Sequence, residues 1–304
     1  MRKASLSKTF ASSVSRNEAL TAYTLLLPTF VLLIMFSLAP LITTMFNSFF
    51  DSGFYQAPKY VGFGNYARVL KDKYFFKSIE VGFRYAAIVV PIRFLLSFLF
   101  AMAIKNMSKR VSGFIKLSIY IPNVISGIIA AVIFNFIYAY QGGLLNYLMS
   151  VLGLPAQPWL NSMSLSLWAV AIPAIWLGFG YSTLLMLAGL LDIPQSYYEA
   201  AMIDGATAFQ RTRYITIPSM RNVFLFQLIS GVIGGLQEFN LPYLMTGGAP
   251  VNTTRTPVLL LYQHFTQDKT MGYTYAGALL MAVVIGALTA LFFRTISSNK
   301  AEDV

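Results

Sequence analysis

The stretch Asp192-Ile193-Pro194-Gln195-Ser196-Tyr197-Tyr198-Glu199-Ala200-Ala201-Met202-Ile203-Asp204-Gly205, running on through Arg211 and Arg213 to Ile215-Thr216-Ile217-Pro218, decides how the chain is read. It is polar, charged and punctuated, while apolar runs long enough to cross a bilayer lie on both sides. It is therefore a loop between two membrane spans. The loop is also built to hold structure. Asp192 is placed to cap a helix with Pro194 at its first position, and Gln195 sits three residues on, as in a capping box. Glu199 falls near the first turns, where a negative charge suits the helix dipole. Gly205 permits a turn that a residue with a Cβ would resist. A second short helix is expected from about Ala206 to Ile215, stopped by Pro218. Two short helices outside the bilayer, small-faced at Ala200 and Ala201, suit docking into a partner's cleft.

Composition supports the membrane reading. Of 304 residues, 57% are hydrophobic and only 11% charged, with a mean hydropathy of +0.64. Soluble domains carry about a quarter charged residues. The fold class expected is an all-α polytopic membrane protein. The net charge of +11 is then read first against the membrane. The basic residues are scattered among loops without interleaved aromatics, so nucleic acid is not expected as a partner. With no cysteine in the chain, disulfide and thiol chemistry are excluded. The one histidine, His264, cannot make a metal cluster alone and reads as a polar loop residue.

Outward from the central loop, six spans are expected, at about Ala19–Phe50, Val81–Ile104, Leu117–Tyr138, Leu165–Leu191, Val223–Met245 and Tyr273–Phe293. The transmembrane domain runs from 19 to 293, with the loop at 192–218 inside it. Polar tails at 1–18 and 294–304 flank it. Between the first two spans, Asn65 to Leu70 suggests a short amphipathic helix. Arg84 and Arg93 lie in the second span, where a cation should face protein, a wet cavity or, for Arg84, snorkel to the surface. An even number of spans puts both termini on one side, with the basic Lys105–Lys116 loop and the 192–218 loop. The positive-inside rule makes that side cytoplasmic, although Lys59, Arg68, Lys71, Lys73 and Lys77 then lie outside.

The fifth span is the most polar. Gln227, Ser230, Gly231, Gly234, Gln237 and Glu238 recur at three- and four-residue spacing and share a helix face. Such a stripe faces a bundle interior or a cavity rather than lipid. For Gln227 and Ser230, helix packing is an equal reading. Gln237, Glu238 and Asn240 are expected in the cavity, where hydroxyl-rich ligands need groups that donate and accept. Phe239 and Tyr243 would offer aromatic faces to sugar rings. No phosphate-cradling Gly-x-x-x-x-Gly-Lys-Ser/Thr occurs, and no catalytic pair lies within a span. Any ATP used would be bound and hydrolysed by another chain.

Glu199-Ala200-Ala201, then Gly205, Ile215 and Ile217-Pro218, resembles the EAA loop of ABC importer permeases, with Ile-Pro where that pattern usually ends in Leu-Pro. The segment Gln237-Glu238-Phe239-Asn240 through Tyr243 to Thr246-Gly247-Gly248-Ala249-Pro250 is similar to the fifth-span ending and Thr-Gly-Gly-x-Pro loop of carbohydrate permeases of the maltose-permease-like, binding-protein-dependent group. The resemblance covers nearly the whole chain from Leu20 to Phe293. It implies a permease subunit with no nucleotide site of its own. It implies four kinds of partner: a second permease subunit, a cytoplasmic ABC ATPase dimer using ATP and Mg, a solute-binding protein, and a sugar. Glu199, Ala200, Ala201, Asp204, Gly205, Arg211, Arg213, Ile217 and Pro218 would meet the ATPase. Gln237, Glu238, Phe239, Asn240 and Tyr243 would line the substrate path. Two alternatives stay open: an ABC permease for glycerol phosphate or a polyol, and an ion-driven secondary transporter. The second lacks the buried acids such transporters keep, Glu238 being nearly alone.

Overall fold

A computed structural model describes residues 16–53 and 56–297. About three quarters of these are helical, and the strands among them form one two-stranded hairpin, Phe50–Gly53 with Gln56–Tyr60. Four helices are long and apolar enough to cross a membrane, or six if each of two bent pairs is one span. The chain is thus a multi-pass membrane protein.

The first span is continuous from Arg16 to Asn47, but its turn at Ile34–Leu38 is π-helical. A second π turn, Thr212–Thr216, leads into Ile217–Ser219. Each wide turn ends two residues before a proline, Pro40 or Pro218. Proline has no N–H for the carbonyl four residues back and its ring crowds that carbonyl, so widening the turn relieves both. Pro218 therefore does not stop its helix as expected; the chain stays helical to Ser219 and resumes at Arg221. The helix of the first span begins inside the expected tail, at Arg16. The last helix, Met271–Ser297, runs past the expected end at Phe293. Most of both tails lies outside the described residues.

The second span, Lys73–Lys105, and the fourth, Ser166–Leu191, pack along each other, and the fifth leans on the second. In lipid, helices associate by close packing of small residues. Here a Cβ at Gly235 would stand 2.7 Å from the Ala86 Cβ, one at Gly231 would stand 2.8 Å from Val90, and one at Gly82 would stand 3.0 Å from Leu236. Gly180 lets the fourth span touch the backbone of Ile119 and Tyr120. Three apolar cores follow the bundle axis. One at the hairpin end holds Val69, Phe75, Leu260 and Ala276; a middle one holds Tyr85, Val89, Val170 and Leu241; the third, around Ile104, Met186, Leu190 and Met220, lies under the 192–218 loop.

The two bent spans depart from the sequence reading. The third is two helices, Lys109–Val124 and Gly127–Ile137, meeting at 92°. Ser126 makes the break by accepting a hydrogen bond from the Ile128 amide, 3.2 Å away, which starts the second helix afresh. The fifth bends by 65° at its root, between Ser219 and Arg221, and further on leaves the helix at Glu238 (φ −63°, ψ 128°) to restart at Asn240–Met245. The segments expected as plain loops also fold: Leu144–Val151 and Pro257–Thr266 are helices, and His264 sits on the second of these. The amphipathic helix near Asn65 forms at Gly64–Lys71, with Asn65 fully buried and its amide donating to the carbonyls of Ser48 and Phe50, both at 2.9 Å.

Candidate functional site

At the loop end of the bundle, residues 192–218 form a surface shelf. Its first helix is Gln195–Ile203, with Pro194 as N-cap and no side-chain cap. Asp192 instead ends the fourth span as its C-cap, so the expected Asp192–Gln195 capping box does not form. A capping box forms further on, where Thr207 accepts from the Gln210 amide (3.3 Å) and the Gln210 side chain accepts from the Thr207 amide (2.7 Å). It opens the Ala208–Arg211 turn of helix. The Thr-x-x-Gln spacing at 207–210 is the sequence signal for it.

Gly205 joins the two helices at φ +75°, and an added Cβ would meet nothing within 4 Å. Its requirement is thus conformational rather than steric. Glu199, Ala200, Asp204, Arg213, Ile217 and Pro218 are exposed; Ala201 and Arg211 are half-buried. Sequence reasoning missed the apolar tip of the shelf: Ile203 is 87% and Phe209 75% exposed on either side of Gly205. Outside the bilayer, side chains of this kind point to a protein partner.

The shelf packs on the bundle through Ile193 and Ile215, and Tyr198 adds polar contacts. The Tyr198 hydroxyl lies 3.0 Å from Thr216 Oγ1, at the root of the fifth span. Its ring receives Lys105 Nζ at 4.4 Å from the centroid, and that ammonium donates to the Leu190 carbonyl at 3.2 Å. The shelf, the second, the fourth and the fifth spans thus meet at Tyr198.

A second site lies within the spans. A cavity of about 300 Å³ opens between the second, third, fourth and fifth spans, lined among others by Tyr85, Arg93, Asn123, Gly178, Glu238 and Asn240. The 92° break of the third span lies on it, flanked by Asn123 and Gly127, and so does the helix interruption of the fifth span at Glu238 and Asn240; the 65° bend of the fifth span, between Ser219 and Arg221, does not. Glu238 Oε1 accepts from the Leu241 amide at 3.2 Å, and the Thr256 hydroxyl donates to the Glu238 carbonyl at 2.6 Å. The carboxylate thus caps the short helix that the break creates.

The five side chains expected on the substrate path divide. Glu238 and Asn240 line the cavity. Gln237 is exposed, and Phe239 and Tyr243 lie outside the cavity, stacked at 5.1 Å and 13°. Tyr262 closes on both rings, at 4.9 Å and 5.2 Å, forming a three-ring cluster beside the break. Adjacent residues of a helix point about 100° apart, so Gln237 and Glu238 do not share the cavity face. Gln227 takes the packing role, donating to the Ser182 carbonyl at 2.8 Å, and Ser230 is exposed. Gly231 and Gly235 face the second span, while Gly234 has open space before it and lines the cavity. Arg84 is paired with Glu80 near the hairpin end, as surface snorkelling requires, but Arg93 lies on the cavity. Among the described residues no group of His, Asp, Glu or Cys is arranged to hold a metal ion.

The family model described as the inner membrane component of binding-protein-dependent transport systems matches residues 93–299. The trehalose/maltose transport system permease protein MalF of Thermococcus litoralis is 31% identical over 284 residues, covering 93% of this chain and 96% of its own length. The sulfoquinovosyl glycerol transport system permease protein SmoG of Agrobacterium fabrum is 30% identical over 93% of this chain and 92% of its own. Among solved structures, a chain of a bacterial ABC transporter importing the acidic polysaccharide alginate superposes with a TM-score of 0.80 at 21% identity, covering 92% of this chain and 96% of that one. It shares the fold.

Proposed function

The chain belongs to the family of inner membrane components of binding-protein-dependent transport systems, and from that premise we propose that it is a permease subunit of an ATP-driven ABC importer for a sugar or oligosaccharide. The observation that carries this reading is the shelf at 192–218: two short helices on a left-handed glycine, presenting Ile203 and Phe209 to solvent and tied back to the spans through Tyr198. The shelf serves as the coupling element. A cytoplasmic ABC ATPase dimer receives it, hydrolyses ATP with Mg, and moves it as a lever on the roots of the fourth and fifth spans. Glu199, Asp204, Arg211 and Arg213 add charges at the rim of that contact. This chain needs no nucleotide site of its own.

The basic Lys105–Lys116 turn, the shelf and the last helix's Arg294 share one end of the bundle; the positive-inside rule assigns that end, and both termini, to the cytoplasm. The cavity at the two broken spans is this subunit's share of a substrate path whose other half comes from a second permease subunit. A solute-binding protein delivers the sugar at the hairpin end. Backbone breaks in the membrane are tolerated where they line a cavity, which supports a path at Glu238 and Asn240. The names of the relatives, a trehalose/maltose and a sulfoquinovosyl glycerol system, support a carbohydrate cargo.

The test is reconstitution of the whole complex in nanodiscs and proteoliposomes. ATPase activity stimulated by sugar-loaded binding protein, with ATP-dependent uptake, is the expected result. Uptake driven by a proton or sodium gradient without ATP overturns the proposal.

A further inference from the structure

Resting on the importer reading, the cavity carries one more conclusion: we infer that Arg93 is a specificity residue for a sugar bearing an oxyanion group, such as a carboxylate, sulfonate or phosphate. Arg93 reaches the cavity from the middle of the second span. Its guanidinium lies in a slot made by two glycines of neighbouring spans. A Cβ at Gly178 would stand 2.5 Å from Nη1, and one at Gly231 would stand 3.4 Å from Nη2. Among the described residues it has neither a hydrogen-bond acceptor nor a carboxylate at ion-pair distance; Glu238 and Tyr85 act on it only through space.

A cation in a span is costly and is kept where it pairs or meets a substrate. The acid facing the same cavity does not serve as its partner. Glu238 Oε1 instead accepts from the Leu241 amide at 3.2 Å, and the two side chains make no ion pair. Two further features favour an anion. The Tyr85 hydroxyl is buried with no hydrogen-bond partner and belongs to a cavity-lining side chain that is 2% exposed. The eleven-residue helix Gly127–Ile137 opens its positive end on the cavity, where Gly127 is among the lining residues. A guanidinium fork matches an oxyanion in two parallel hydrogen bonds. Asn123 and Asn240 supply amides for the neighbouring hydroxyls.

The experiment measures uptake and stimulated ATPase in the reconstituted complex with its binding protein. The probes are matched pairs of oligosaccharides, one neutral and one carrying a uronate, a sulfonate or a phosphate. The wild type should transport at least one oxyanion-bearing probe. Arg93→Gln should weaken that probe by about 10- to 100-fold, the range set by loss of a hydrogen bond to a charged group, while a neutral sugar changes little. The uronate, sulfonate and phosphate arms identify which oxyanion is accepted. Gly178→Ala, which displaces the guanidinium and leaves its charge in place, should lower the same probe; Tyr85→Phe should do so more weakly. These two decide the matter if Arg93→Gln fails to assemble. ATP-dependent uptake of neutral sugars alone would overturn this inference and leave the importer reading intact. Equal losses for neutral and acidic probes in all variants that assemble would also overturn it, and would point to a structural partner for Arg93 on the second subunit. If no sugar of either kind is taken up, the importer reading itself falls.

Discussion

The hydroxyls of Tyr198 and Thr216 meet at 3.0 Å, joining the first helix of the surface shelf to the root of the fifth span. Eighteen residues separate the two in sequence, and the exposed tip at Ile203, Gly205 and Phe209 lies between them. Motion imposed on the tip therefore reaches the spans through a closed loop rather than a hinged arm. Lys105, stacked on the same ring, extends the connection to the second span, whose other side chains include the cavity residue Arg93.

Tyr198→Phe removes that bond and keeps the ring on Lys105. A single hydrogen bond contributes about 0.5–1.5 kcal/mol, so coupling should weaken by roughly tenfold at most. The ATPase should still co-purify, with stimulated ATP hydrolysis exceeding what transport requires. Unchanged transport per ATP in proteoliposomes would show that the shelf is held by packing alone.

Gly205 makes a sharper case, because its conformation and its space give different orders of tolerance. The φ of +75° penalises any Cβ, yet no atom lies within 4 Å of where that Cβ would stand. Strain alone then ranks the variants: Asn, which tolerates the left-handed region, should retain most uptake, Ala less, and Val least, at a cost of about 1–3 kcal/mol. All should insert in the membrane. If Asn and Val lose uptake equally, side-chain bulk at the docking surface governs instead.

Glu238 and Asn240 are expected to act on transport, and Gln227 on the fold. Gln227→Leu removes its hydrogen bond to the Ser182 carbonyl, which keeps its helical partner, at a cost of about 0.5–1.5 kcal/mol. It should lower the melting temperature of the purified complex while leaving its choice of sugar unchanged. Glu238→Ala or Asn240→Ala should reduce uptake with assembly preserved. Normal uptake in both would remove these two residues from the path.

His264 sets a pH dependence at the hairpin end. It lies 2.8 Å from Asp268 and 4.0 Å from Asp72. Burial outweighs both acids and, with Arg255 nearby, holds its imidazole below the ordinary histidine value of 6.5. The fold therefore favours neutral His264. That stability is fully present above the ordinary value and is lost as pH falls through the lower, folded value. Thermal stability should fall on going from neutral to acidic buffer, and His264→Gln should flatten this part of the profile. A wild-type curve that strengthens with acid would show the imidazolium to be the stabilised form.

Much of the architecture was legible because membrane helices are written in long local runs. Span number, the loop at 192–218 and the need for glycine at 205 depend on neighbours in the chain: apolar length, turn chemistry and punctuation. So did the choice of Glu238 and Asn240, whose polarity in an apolar run demanded a reason. The geometry of the breaks was less legible. Pro242 is the local signal near Glu238, since it has no N–H for the carbonyl four residues back; but that the freed carbonyl is taken by Thr256, and that the restarted helix packs where the third span has also turned, depends on residues distant in the chain. The capping box went unread at 207–210 because a stronger-looking signal stood at 192–195. Arg93 is the clearest division. Its position in a span was plain from the sequence, but whether it met a carboxylate, lipid or a cavity depended on Gly178 and Gly231, 85 and 138 residues away in the chain. Local spacing determines which helices form and roughly where they end. Which polar groups find partners across them is decided only when the helices pack, because a buried charge is satisfied by whatever the neighbouring helix brings to it.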